Sequence, residues 1–148
     1  MKKILVCKEK DPLETRVALI PDDVKKLISL GFEISVVSNA GIKTGYSDND
    51  YEIAGASIIP TEEKGYNDSE IIIRILKPEN ISGIKKGAFH LSYLDPFNNK
   101  ELLNEFNKQE IQAASLEMIP RTTLAQKMDV QSSQSSLAGY VAVLNAAA

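Results

Sequence analysis

One stretch of seven residues limits the fold more than any other: Glu70-Ile71-Ile72-Ile73-Arg74-Ile75-Leu76. It is almost continuously apolar, without alternation, so it predicts a central strand covered on both faces. Such a strand belongs in a parallel sheet with helices packed on either side. The rest of the chain supplies the other elements. Residues 3–8, 32–37, 57–59, 88–94 and 111–116 read as further strands, rich in Ile, Leu, Val and Ala. Between them, Pro21-Asp22-Asp23 opens a helix with a proline and acids in its first turn, Val24, Leu27 and Ile28 give it an apolar face, and Gly31 stops it. Ser47 caps a short helix that runs to Ala54 and stops at Gly55, and residues 98–107 place Leu102, Leu103 and Phe106 on one helical face. Leu137, Tyr140, Val141 and Leu144 mark a last helix, with Ser132 to Ser136 read as its cap and first turn. The expected fold class is therefore α/β, a parallel sheet with helices on both faces.

Composition removes several function classes. A net charge of −3 without a basic stripe gives no support for a nucleic-acid partner or a lipid surface. No apolar run is long enough to span a bilayer. The opening Met1-Lys2-Lys3 resembles a signal-peptide n-region, but the four apolar residues after it end at Lys8-Glu9-Lys10. One cysteine and one histidine exclude an internal disulfide and a Cys/His zinc site. Cys7 reads as a small apolar residue of the first strand. His90 shares a strand face with Ala88, Ser92 and Leu94, the place of a hydrogen-bonded structural histidine. No Gly-x-Gly-x-x-Gly occurs, and Gly41 and Gly45 fit a plain loop.

What remains is a polar cluster between the last strand and the last helix: Arg121, Gln126, Asp129, Gln131 and Ser132. Loops at strand carboxyl ends are where open α/β sheets bind ligands. Arg121 and Asp129 can pair across the loop, and Gln126 offers the donor and acceptor that a carboxamide-bearing ligand needs. By composition the cluster fits either a ligand site or an ordinary solvated loop.

Two longer stretches carry a resemblance. Glu14-Thr15-Arg16-Val17-Ala18-Leu19-Ile20-Pro21, then Gly31-Phe32, Ala40-Gly41 and Ala54-Gly55-Ala56, is similar to the opening of the family that joins alanine dehydrogenases and transhydrogenase α subunits. Met118-Ile119-Pro120-Arg121-Thr122-Thr123-Leu124-Ala125-Gln126-Lys127-Met128-Asp129, followed by Ser132-Ser133-Gln134 and Ala138-Gly139-Tyr140, closely resembles the transhydrogenase loop named for its Arg, Gln and Asp. The resemblance implies a Rossmann-like or flavodoxin-like first lobe, residues 1–148, of a two-lobed NAD(H)-binding domain. The dinucleotide-binding Rossmann lobe is expected after residue 148, and the chain's ending within helical sequence at Ala146-Ala147-Ala148 suggests a fragment or an interrupted reading frame. The implied activity is hydride transfer between NADH and NADP⁺ coupled to proton translocation.

The resemblance also implies roles. Arg121, Gln126 and Asp129 would lie by the nicotinamide carboxamide and ribose of NAD(H). Gln126 would reach toward the partner domain carrying NADP(H). Ser132 and Tyr140 match further positions lining that site, although Tyr140 equally suits core packing on its helix. The implied partners are a second copy in a homodimer and the membrane and NADP(H)-binding domains. The implied location is the cytoplasmic face of a bacterial inner membrane, or the matrix side in a mitochondrion. Two other readings are an alanine-dehydrogenase-like enzyme of amino or keto acids and a non-catalytic dimerisation or assembly module. In the dehydrogenases a lysine precedes the proline after the central strand and a histidine follows the next strand. Here those positions hold Leu76, with Lys77 one residue late, and Asp95. Arg16, which binds substrate carboxylate in the dehydrogenases, is present in both branches. Leu76 cannot act as an acid or base, so the protein containing this chain is expected to show no turnover with pyruvate, ammonia and NADH. Such turnover in the purified protein would count against the transhydrogenase assignment.

Overall fold

The computed structural model describes residues 2–147. Six strands form one sheet: β1 (Lys2–Val6), β2 (Phe32–Val37), β3 (Ser57–Ile59), β4 (Ile71–Ile73), β5 (Phe89–Ser92) and β6 (Gln112–Ser115). All pairings are parallel, in the order β3-β2-β1-β4-β5-β6. This is the doubly wound order in which the chain reverses direction of progress between β1 and β4, and their carboxyl ends part there. The helices are α1 (Pro21–Ser29), α2 (Asp48–Ile53), α3 (Glu62–Tyr66), α4 (Lys100–Lys108) and α5 (Val130–Ala147).

Period two along β1 sorts the core into two layers. Leu5 and Cys7 join Tyr66 of α3, Ile72, Leu94 and Phe106 of α4 on one face. Ile4 and Val6 join Val24 of α1, Ile34, Val36 and Tyr51 of α2 on the other. Helices thus cover both faces, as expected. Gly41 serves this packing. A Cβ there would come within 2.7 Å of the Tyr51 ring and hydroxyl. Tyr51 is fully buried and donates its hydroxyl to the Leu19 carbonyl at 2.9 Å. Ser47 and Asp50 form the capping box that starts α2.

Three expectations need correction. The apolar stretch of residues 70–76 yields only a three-residue strand. Beyond Ile73 the N–H groups of Ile75 and Leu76 donate to the Glu9 carboxylate, at 2.6 and 3.3 Å, instead of to a neighbouring strand. Helix α3 was not expected, because its five residues carry acids in the first turn but too few apolar positions to show a period. Finally, the cap of α5 is Asp129 and not a serine: its carboxylate accepts the Ser132 N–H at 2.9 Å and the Ser132 hydroxyl at 2.6 Å.

Cys7 and His90 take the structural places expected of them. Burial pushes the Cys7 thiol up, out of reach of neutral-pH ionisation. His90 is fully buried on the same face as Ser92, 3.4 Å from its hydroxyl, and packs against Phe106. Burial, aided by the Arg74 charge, pushes the imidazole down to about 3 from an ordinary 6.5. The folded state therefore refuses a proton that the unfolded chain takes up below that ordinary value. The stability from this group is complete above about pH 6.5 and is lost as pH falls toward about 3, by up to ~1.4 kcal/mol per pH unit. The raised Glu9 carboxyl works in the opposite sense, so a paired comparison isolates the histidine. Urea unfolding at pH 7 and pH 5 should show the native chain losing about 2 kcal/mol more than His90→Gln. Equal losses would show that His90 is not held neutral.

Candidate functional site

The loop that leaves β6 is built from short local bonds. After a 3-10 turn at Leu116–Met118, Pro120 accepts the Thr122 N–H, and Thr122 accepts the Ala125 N–H on both its carbonyl and its hydroxyl. A second 3-10 turn, Gln126–Met128, leads to Asp129. Ala125 is buried and anchors the loop, while Leu124 beside it is 93% exposed. The turns leave a cavity of about 280 Å³ lined by Arg121, Thr122, Thr123, Gln126, Asp129 and Ser132. Four of the five expected site residues are therefore brought together. Tyr140 is not: it stands two turns further along α5, exposed and away from this cavity.

Chemically the cavity is an array of fixed and free polar groups. The Ser132 hydroxyl and N–H hold the Asp129 carboxyl below its ordinary range, with a smaller contribution from the Arg121 charge. The direct ion pair expected between Arg121 and Asp129 does not form; Asp129 is committed to the helix cap instead. Among the described residues neither Arg121 nor Gln126 has a side-chain hydrogen-bond partner, and both are exposed. A guanidinium and a carboxamide are thus available to a ligand. Thr122 and Thr123 were missed as lining residues. The turn made by the Thr122 hydroxyl was the available signal.

A second cavity, of about 390 Å³, opens where the ends of β1 and β4 part, with Glu9, Arg74, Leu76, Lys77, Tyr93 and Asp95 among its walls. Two of its charged side chains are committed to neighbouring amides. Lys77 donates to Asn99. Asp95 adopts a left-handed φ of 47°, and its carboxylate accepts the side-chain amides of Asn98, at 2.9 Å, and Asn99, at 3.2 Å. Its own N–H donates to Glu117. Asp95 is a turn-forming residue, a role that short polar side chains fill in this backbone region.

The family described as alanine dehydrogenase/PNT, N-terminal domain, matches residues 5–138. The chain belongs to that family. In Rhodospirillum rubrum, the first portion of the NAD(P) transhydrogenase α subunit is 36% identical over 98% of the chain. The crystal structure of transhydrogenase from Sinorhizobium meliloti superposes with a TM-score of 0.92 at 38% identity, covering 99% of the chain and 44% of that structure. An L-alanine dehydrogenase structure superposes less closely, with a TM-score of 0.74 at 27% identity over 79% of the chain and 33% of that structure. The chain spans about 40% of the length of the curated transhydrogenase relative that it matches.

Within the alanine dehydrogenase/PNT family, the chain sits nearer the transhydrogenase branch, and its second cavity agrees with that placing. Where the dehydrogenase resemblance requires a lysine and a histidine, Leu76 is apolar and Asp95 is spent on a turn. The two cavities also differ in rigidity. Residues 121–128 are exposed apart from Ala125 and make only local bonds, whereas β4 lies between two strands. Amide hydrogen exchange should be fast from Thr122 to Val130 and slow across Ile71–Ile73. Equal protection in the two segments would refute a mobile loop.

Proposed function

We propose that this chain is the first lobe of the NAD(H)-binding region of a proton-translocating NAD(P) transhydrogenase. One observation carries the reading: the cavity after β6 presents the unpaired side chains of Arg121 and Gln126, and the one carboxylate beside them, Asp129, is committed to the cap of α5. That array suits a reaction needing positioning without proton transfer at the protein. When bound, NAD(H) supplies the hydride-exchanging carbon of its nicotinamide ring. The residues fit one end of such a molecule. The cavity is slightly smaller than the ~300–1,000 Å³ pockets that enclose a whole drug-sized ligand, and its lining is polar. Arg121 and Gln126 would bind the nicotinamide carboxamide and ribose, and Asp129 and Ser132 would hold the rim in shape. Gln126 would also face the NADP(H) carried by a partner domain.

Residues 1–148 would then form one lobe, with a dinucleotide-binding lobe lying outside them. Support comes from the lengths of the relatives and from α5, whose Leu137, Tyr140, Val141 and Leu144 are all exposed. An apolar face of this kind suits a covering surface from the second lobe or from a second copy in a homodimer. Tyr140 would belong to that contact or to the ligand site completed by it. Among the described residues no helix is long and apolar enough to cross a membrane. The partners in this reading are the membrane and NADP(H)-binding domains of the transhydrogenase. The lobe would work at the cytoplasmic face of a bacterial inner membrane, or on the matrix side of a mitochondrion.

Gln126→Asn in the complete enzyme tests this reading. Asn keeps the amide and shortens the side chain by one methylene. Reacting atoms must approach to about 3–3.5 Å, and a misplacement of about 1 Å can slow a step on the order of a hundredfold. Single-turnover hydride transfer should drop steeply while the NADH dissociation constant stays nearly unchanged. A parallel loss of binding would make Gln126 a ground-state contact. No change in either would leave the loop an ordinary polar surface.

A further inference from the structure

Residues 120–147 are held to the rest of the fold by very little. Ala125 is their one buried side chain, and α5 is exposed from Gln131 onward. Among the described residues, one hydrogen bond joins them to residues 2–118: Arg16 Nη1 donates to Gln134 Oε1 at 3.1 Å. The two residues lie 118 positions apart.

The Arg16 end of that bond is firmly mounted. Its Nε and Nη2 form a fork on the Glu14 carboxylate, at 2.8 and 2.6 Å, and its own N–H donates to the same carboxylate at 2.9 Å. Glu14 is only 9% exposed. The Lys43 ammonium fixes the segment beneath by donating to the carbonyls of Asp11 and Glu14 at 2.9 and 3.0 Å. A guanidinium gripped in this way has its side-on Nε/Nη2 edge committed to Glu14, which fixes the direction in which Nη1 points. Its remaining amino group points to α5. Gln134 stands two residues beyond Ser132, and Ser132 closes the Asp129 cap and lines the cavity.

We propose that Arg16, mounted on Glu14, is a positioning residue: through Gln134 it fixes the start of α5 against the loop after β1 and so sets where Arg121, Gln126 and Asp129 stand. The inference rests on the transhydrogenase reading for its catalytic consequence, but the mechanical role stands by itself.

Two substitutions at the exposed end test it without touching the core. Gln134→Leu removes the acceptor. Gln134→Glu keeps it and adds a charge-assisted bond. Backbone ¹⁵N order parameters of residues 130–136 in the chain should fall from about 0.85 to below about 0.6 in Gln134→Leu, and return in Gln134→Glu. In the complete enzyme, single-turnover hydride transfer should slow on the order of tenfold or more in Gln134→Leu with NADH affinity unchanged, and recover in Gln134→Glu. Unchanged order in Gln134→Leu overturns the proposal. Slowed transfer with intact order, unrescued by Glu, also overturns it, because Gln134 would then act on the ligand. Loss of order in an enzyme that shows no transhydrogenation supports the strut and sinks the functional reading instead.

Discussion

A buried ion cluster at the point where β1 and β4 part governs the architecture. Arg74, only 2% exposed, lies with one Nη 3.3 Å from Glu62 and the other 3.8 Å from Glu9. Lys10 approaches Glu62 from the surface at 2.8 Å. Burial raises the Glu9 carboxyl above its ordinary value, while the Ile75 N–H and the Arg74 charge favour its ionised form. Each partner thus keeps the others tolerable in the interior. In comparable sites, removing one member of a buried pair strands a charge at a cost of about 3–5 kcal/mol. The cluster ties the loop after β1 to α3 and to the end of β4, three segments far apart in sequence. It also makes Glu9 a substitute strand partner for Ile75 and Leu76, which ends β4 and opens the crevice.

That division gives the molecule a rigid floor and a softer rim. On the floor, charged groups are consumed by structure: Asp95 by its turn and Lys77 by Asn99. On the rim, Arg121 and Gln126 remain unpaired over a loop of local bonds. The same crevice in the alanine dehydrogenase branch is expected to carry an acid/base pair. With Leu76 apolar and Asp95 held in its turn, the floor lacks that pair, and the proposed ligand contact lies on the rim. In the proposed role of bringing two rings together, such a loop gains from being adjustable, provided that something fixes its base.

Much of this was legible in the sequence. Strands β2 and β3 lie on the residues expected, because β-branched runs bounded by glycine and proline leave little choice. The Ser47 cap and the Gly31 and Gly55 stops are local backbone chemistry, equally visible. The parallel sheet followed from one apolar stretch that water could not be allowed to reach. The grouping of Arg121, Gln126, Asp129 and Ser132 came from close spacing within twelve residues, where the chain itself keeps side chains together.

Other features were decided only by tertiary structure. The apolar stretch around Arg74 points to an interior position, but nothing in it names the counter-ions, which lie 12 and 65 residues away. Its pairing depends on how three loops meet, and a charge reads the same in sequence whether it faces solvent or another charge. Arg16 carried a familiar motif, but its partner Gln134 becomes its neighbour only when the last helix folds back over the first loop. Most of the elements, their alternation and the place of the polar loop follow from sequence alone, because those depend on local propensity and on which faces must avoid water. Which charges are spent on holding the fold, and which stay free for a ligand, was decided by long-range packing, because only packing sets the distance between groups that the chain keeps apart.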